Sequence, residues 1–240
     1  MKEIILDTKD SEKIYANWFK NDNSGVILIC HGLLEYKDSS TFRSISGEIA
    51  KNFDVLTIDM RGHGKSTGKY TYGAKEALDI QAGIDFLKTR YSKIVLMGFS
   101  LGASVSLEAA VKNKCVDGLI LISPPASFSK IRPKLWTVAA IKTGIGNIGS
   151  GKKVWGFNVF MKKSSNFDNI KNVKIPVLIL HGTKDWVINH RHSIELKDVA
   201  TQNVKLIIVK DGTHAEYMYK QDAQKFVNTI NDWLGEKGVK

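Results

Sequence analysis

The sequence predicts an α/β fold: a mostly parallel, eight-stranded sheet with helices on both faces. Two observations carry this. Short apolar runs alternate along the chain with longer amphipathic ones, and from Val26 onward the short runs are continuously apolar. Parallel strands covered on both faces read that way, and strands alternating with helices require right-handed crossovers.

The strand candidates are residues 3–7, 15–20, 26–31, 54–59, 94–98, 118–123, 177–181 and 205–209. The first two carry polar residues at alternate positions, as an exposed antiparallel edge would. Residues 74–91 put Ala77, Ile80, Ile84, Leu87 and Tyr91 on one helical face. Residues 100–111 are rich in Gly102, Ala103, Ala109 and Ala110, small enough for close helix–sheet packing. Residues 222–234 place Phe226, Ile230, Trp233 and Leu234 on a stripe. The stretch 124–174 has no strand signal but many apolar residues interrupted by glycines, and it exceeds what one crossover helix needs. We therefore expect one domain over 1–240, with 124–174 forming a small helical cap.

Composition narrows the function classes. The longest apolar runs are strand-sized, so no integral membrane segment is expected. The start, Met-Lys-Glu-Ile-Ile-Leu-Asp, carries no secretory-type apolar region, and two cysteines make no disulfide framework. Both Cys30 and Cys115 read as buried free thiols in a reducing compartment, which predicts a cytoplasmic protein. The net charge of +11 comes from 35 basic against 24 acidic residues. Thirty of the cations are lysines spread along the chain, without zinc-finger or RNA-recognition spacing, so the charge reads as a solvated surface and not as a nucleic-acid partner.

The chemistry concentrates at strand ends. Gly98-Phe99-Ser100-Leu101-Gly102 is a G-x-S-x-G match between a buried strand and a helix. A serine on so tight a turn needs glycines at both flanks, and the helix N-terminus offers N–H groups to a developing oxyanion. A serine hydroxyl is a weak nucleophile and needs a base with an orienting carboxylate. Asp185 follows the strand at 177–181, and His214 follows the strand at 205–209. In a parallel sheet these loops gather on one rim, in the order Ser, Asp, His. Val26-Ile-Leu-Ile-Cys-His31-Gly32-Leu33 ends another strand, so the backbone N–H groups of Leu33 and Leu101 can face each other as an oxyanion hole. His31 and Gly32 are expected to hold that loop.

These segments, with Asp59-Met60-Arg61-Gly62-His63-Gly64-Lys65-Ser66, His181-Gly182-Thr183-Lys184-Asp185 and Gly212-Thr213-His214, resemble the α/β-hydrolase superfamily in family order. The likeness is to its monoacylglycerol-lipase-like and carboxylesterase-like branch. The resemblance implies nucleophile, acid and base at Ser100, Asp185 and His214, oxyanion donors at Leu33 and Leu101, and a structural role for the Asp59–Ser66 segment, His63 included. It implies a cofactor-free serine hydrolase acting on a small-molecule carboxylic ester. A thioesterase, amidase or acyltransferase using the same triad stays open, as does a non-catalytic small-molecule receptor on the same fold. His190 and His192, two residues apart, point their rings in different directions and are not expected to hold a metal. Trp186 reads mainly as a packing residue. Glu216, Tyr217 and Tyr219 lie close enough in sequence to His214 to touch the pocket.

Overall fold

The computed structural model describes residues 1–127, 164–201 and 203–238. Eight strands form a single sheet: β1 (Lys2–Asp7), β2 (Lys13–Phe19), β3 (Gly25–Cys30), β4 (Asp54–Ile58), β5 (Lys93–Phe99), β6 (Gly118–Ile122), β7 (Val177–Gly182) and β8 (Val204–Val209). Their spatial order is β1-β2-β4-β3-β5-β6-β7-β8. The β1–β2 and β2–β4 pairs are antiparallel, and every pair from β4 to β8 is parallel. All eight strands lie within two residues of the bounds expected from the sequence.

The continuous apolar runs have a direct structural cause. Along β3, β5 and β7, successive side chains enter opposite layers, and both layers are covered. Leu28, Leu96 and Ile179 pack in one core with Ile80, Ile84 and Leu87 of α2 (Ala77–Leu87), with Leu107 of α3 (Leu101–Lys112), with Ile170 of α4 (Asn166–Asn172) and with Leu196 of α5 (Arg191–Val199). Ile27, Ile29, Met97, Leu178 and Leu180 enter the other core. There they meet Phe42, Ile45 and Ile49 of α1 (Ser40–Ile49), Met218 of α6 (Glu216–Gln221), and Phe226, Ile230, Trp233 and Leu234 of α7 (Ala223–Glu236). Each such side chain, fully buried, contributes on the order of 1.5–3 kcal/mol.

The 100–111 helix begins one residue later than expected, because Ser100 itself stands in the turn. The α1 helix was not anticipated, although Ser39 caps it by accepting from the Phe42 N–H and Phe42, Ile45 and Ile49 make its buried stripe. Of the stretch 124–174, residues 128–163 and hence most of the expected cap lie outside the described residues. One expectation is corrected. Cys30 is buried, but Cys115 is exposed, because it sits in the turn after α3 and not on an inward-facing element.

The Asp59–Ser66 loop is fastened by charge. Asp59 accepts from the backbone N–H groups of Lys37 (2.6 Å) and Lys65 (3.1 Å). The Arg61 guanidinium, 2% exposed, donates to Asp79 at 2.7 and 2.9 Å and to Asp10 at 2.8 and 3.0 Å. The loop thus joins the β1–β2 edge to α2. Removing one member of such a buried pair leaves the other charge without compensation. Arg61→Met is expected to lower unfolding stability by about 3–5 kcal/mol in urea, and Arg61→Met with Asp79→Leu to recover most of it. A single-variant loss under about 1 kcal/mol would show that the pair does not fasten the loop.

Candidate functional site

The site is built at the carboxyl ends of β3, β5, β7 and β8, where a parallel sheet presents its loops on one rim. The turn from β5 into α3 comes first. Ser100 has φ 52° and ψ −112°, a left-handed conformation that costs a non-glycine residue about 1–3 kcal/mol. It is held there by two close backbone approaches. A Cβ on Gly98 would lie 2.3 Å from the Gly102 carbonyl oxygen, and a Cβ on Gly102 would lie 2.4 Å from that of His31. Neither position accepts a side chain, which is the physical content of the G-x-S-x-G spacing. The Ser100 N–H donates to the Ile122 carbonyl at 2.8 Å, tying the turn to β6.

The loop after β3 closes against this turn. A Cβ on Gly32 would stand 3.5 Å from Ser100 Cβ. His31 holds the loop as expected: the Met60 N–H donates to its Nε2 (3.0 Å), so Nδ1 carries the proton and donates to the Gly32 carbonyl (2.7 Å). Burial, helped by neighbouring His63, lowers the His31 pKa to about 3 and keeps the ring neutral. The turn from Gly32 to Glu35 puts Leu34 at φ 67°. The N–H groups of Leu33 and Leu101 have no acceptor among the described residues.

Asp185 and His214 are brought together. Gly182 at the end of β7 and Gly212 after β8 touch so closely that a Cβ on Gly182 would lie 2.1 Å from the Gly212 carbonyl oxygen. That contact lets Asp185 Oδ2 meet His214 Nδ1 at 2.8 Å. Nδ1 therefore carries the proton, leaving Nε2 free to act as a base. Burial works against the Asp185 anion, but hydrogen bonds from His181 and then His214 outweigh it and hold the carboxyl well below its usual range. Among the described residues no hydrogen bond joins Ser100 Oγ to His214. The acid–base half of the arrangement is closed and the nucleophile half is open.

Ser123 and Ala215, not singled out in the sequence, complete the rim together with residues that were. Ser123, at the end of β6 with φ 49°, accepts from the Ala215 N–H at 3.0 Å. Ala215 itself sits at φ 46°, ψ −117°, so the base-bearing loop ends in a strained residue fixed by a strand-end serine. Two strand-end serines, Ser100 and Ser123, thus tie the nucleophile turn and the base loop to consecutive residues of the β6 end. Trp186 is not buried packing: it is 49% exposed, 5.0 Å edge-on to Tyr217 and 6.3 Å from the His214 ring. Glu216 is buried, and burial raises its pKa, with His214 opposing that rise and Glu35 adding to it. Tyr219 faces inward and bonds Ser44 Oγ at 2.6 Å.

His63 is buried and its Nδ1 bonds the Arg61 carbonyl at 3.1 Å, in keeping with a structural place in its loop. His192 Nδ1 accepts from the Ala126 N–H, 3.0 Å away. No group of three or more metal-capable side chains occurs among the described residues, and no helix among them is long and apolar enough to cross a membrane.

Comparison with known proteins agrees with this architecture. Residues 25–142 match the family model described as alpha/beta hydrolase fold. Human alpha/beta hydrolase domain-containing protein 17B is 28% identical over 188 residues, 76% of this chain and 58% of that relative. Human protein ABHD12B is 27% identical, covering 96% of this chain and 66% of its own length. The chain therefore spans little more than half to two thirds of these curated relatives. Among solved structures, the esterase RhEst1 from Rhodococcus sp. ECU1013 superposes with a TM-score of 0.82 at 17% identity, over 98% of this chain and 99% of that one. The Pyrococcus furiosus esterase Pf2001 gives 0.80 at 23% identity, over 98% and 90%. With its eight-stranded sheet, its strained serine turn and these likenesses together, the chain has the α/β-hydrolase fold and is similar in sequence to that superfamily.

Proposed function

We propose that the protein is a serine hydrolase that cleaves a small-molecule carboxylic ester through a covalent acyl-enzyme, without a cofactor. The observation that carries this reading is the 2.8 Å contact between Asp185 and His214 Nδ1, on the same sheet rim as the strained Ser100. That His214 and Ser100 are not yet hydrogen-bonded is compatible with it, since such bonds tighten when substrate binds.

In this reading His214 Nε2 takes the proton of Ser100 Oγ as that oxygen attacks the ester carbonyl. The oxyanion is received by the N–H groups of Leu33 and Leu101, each contributing on the order of 3 kcal/mol to transition-state stabilisation. Protonated His214 then gives its proton to the leaving alcohol. Water, deprotonated by His214, attacks the acyl-enzyme, and collapse of the second oxyanion returns Ser100 Oγ and releases the acid. Asp185 fixes the His214 tautomer and stabilises its cation.

Half-exposed Trp186 and Tyr217 beside His214 favour an acyl or aromatic ester over a bare sugar or phosphate. The esterase activity named for RhEst1 and Pf2001 belongs to those proteins and supports the same direction for this one.

Exposure of the parent protein to a fluorophosphonate is expected to add one adduct by intact mass, and Ser100→Ala to add none. With p-nitrophenyl acetate, Ser100→Ala is expected to lose about 10⁴–10⁶-fold in turnover while its unfolding curve is unchanged. Full turnover in that variant would sink the assignment. Asp185→Asn, which keeps the shape but reverses the tautomer preference of His214, is expected to lower kcat by about 10⁴-fold. A drop below about tenfold would remove Asp185 from the acid's place.

A further inference from the structure

The carboxylate of Asp185 serves two histidines. His181 Nε2 lies 3.1 Å from Asp185 Oδ2, the oxygen that His214 Nδ1 meets at 2.8 Å. The same His181 nitrogen lies 2.8 Å from the Ile188 carbonyl oxygen. Both neighbours of Nε2 are acceptors, so Nε2 carries a proton, which is hydrogen-bonded to the Ile188 carbonyl and lies close to Asp185 Oδ2. The ring cannot turn away. It is fully buried, and its Nδ1 is 2.6 Å from Ser193 Oγ on α5. The other carboxylate oxygen, Oδ1, is occupied by the N–H groups of Val187 (2.9 Å) and Ile188 (2.8 Å).

Asp185 thus accepts three hydrogen bonds, two on Oδ1 and one on Oδ2, and His181 Nε2 stands 3.1 Å from Oδ2 as a second polar contact there. The two on Oδ1 fix its position, because both come from its own loop. The two contacts on Oδ2 compete. A donor sharing an oxygen withdraws electron density from it, and what remains attracts the second donor's proton less strongly. This sign holds whether His181 is neutral or cationic, since a nearby positive charge acts in the same direction.

We propose that His181 is a positioning residue for the reaction: its Nε2 proton stands against the Asp185 oxygen used by His214 and so limits how strongly Asp185 draws a proton onto His214. This rests on the reading of Asp185 and His214 as the acid and base. Another charged group also acts on His214: Glu216, which itself interacts with Lys220 on α6 and with Glu35 in the loop after β3, with the Tyr217 hydroxyl near both carboxylates. They are the same in every variant below, so a difference isolates His181.

The test compares His181→Phe, which keeps a ring but no donor, with His181→Gln, whose amide N–H reaches toward the same oxygen. In His181→Phe the acidic limb of the kcat/KM–pH profile is expected to move upward by roughly 0.5–1 pH unit, and in His181→Gln to return toward the parent. A uniform fall in kcat with an unmoved limb would overturn the proposal. The limb is also readable without turnover, from the His214 ring protons by NMR, so loss of the esterase reading would not hide the result. If His181→Phe does not fold, the parent protein decides the matter. The downfield His181 Nε2 proton is expected to shift with the same midpoint as His214, because protonating His214 strengthens its claim on the shared oxygen. A His181 proton resonance that stays flat through that midpoint would overturn the proposal.

Discussion

The site depends on how closely the β5–α3 turn can approach the end of β3. Gly102 lies where a Cβ would be 2.4 and 2.5 Å from the carbonyl oxygens of His31 and Cys30, and Gly98 is pressed against Gly102 in turn. This contact fixes two things at once. It forces Ser100 into its left-handed conformation, and it brings the loop carrying Leu33 over the start of α3. A single side chain at Gly102 would separate the nucleophile turn from the oxyanion loop. The strain on Ser100, about 1–3 kcal/mol, is offset by the apolar strands beneath it, each of which buries several side chains worth about as much apiece.

A second glycine contact does for the acid and base what the first does for the nucleophile. Gly182 and Gly212 meet at the ends of adjacent parallel strands, and the two loops then diverge with Asp185 on one and His214 on the other. Because β7 and β8 pair in register from Val177↔Val204 to Gly182↔Val209, the loops leave the sheet side by side. The carboxylate reaches the imidazole without a long, mobile side chain. Short Asp suits that geometry, and its two backbone hydrogen bonds from Val187 and Ile188 hold it there.

The strands were legible because the physics that buries both faces of a parallel sheet writes an unbroken apolar run. The residues of the proposed site stood out because glycines, serine, aspartate and histidine punctuate the ends of those runs, and the structure brings Asp185 and His214 together. His181 and Ser123 were not, for a shared reason. His181 looks like the first letter of a turn motif, and its partners come from Ile188 and from Ser193 on the following helix. Ser123 looks like an ordinary strand end, and its partner is 92 residues away. Such roles exist only after the loops fold back. The α1 helix, by contrast, carried its signal openly in Ser39 followed by Phe42, Ile45 and Ile49, a cap and a stripe at helical spacing. Cys115 misled because apolar neighbours in sequence do not fix which way a turn residue points.

Backbone strain sorts the rim into parts that are held and a part that responds to ligand. Leu34, Ser100, Ser123 and Ala215 all take positive φ without being glycine, and all four stand at or just beyond carboxyl ends of strands. Three of them are tied by hydrogen bonds running through β6: the Ser100 N–H to Ile122, the Ser123 N–H to Leu180, and the Ala215 N–H to the Ser123 hydroxyl. These bonds make the Ser100 turn and the His214 loop parts of one strand-end array, so neither loop can relax without breaking a buried hydrogen bond worth about 1–3 kcal/mol. Leu34 lacks that tie to β6, and its turn is closed by a longer 3.4 Å bond from the Glu35 N–H to Gly32. Since the adjacent Leu33 N–H has no acceptor among the described residues, an oxyanion placed there would supply the bond that this turn is missing.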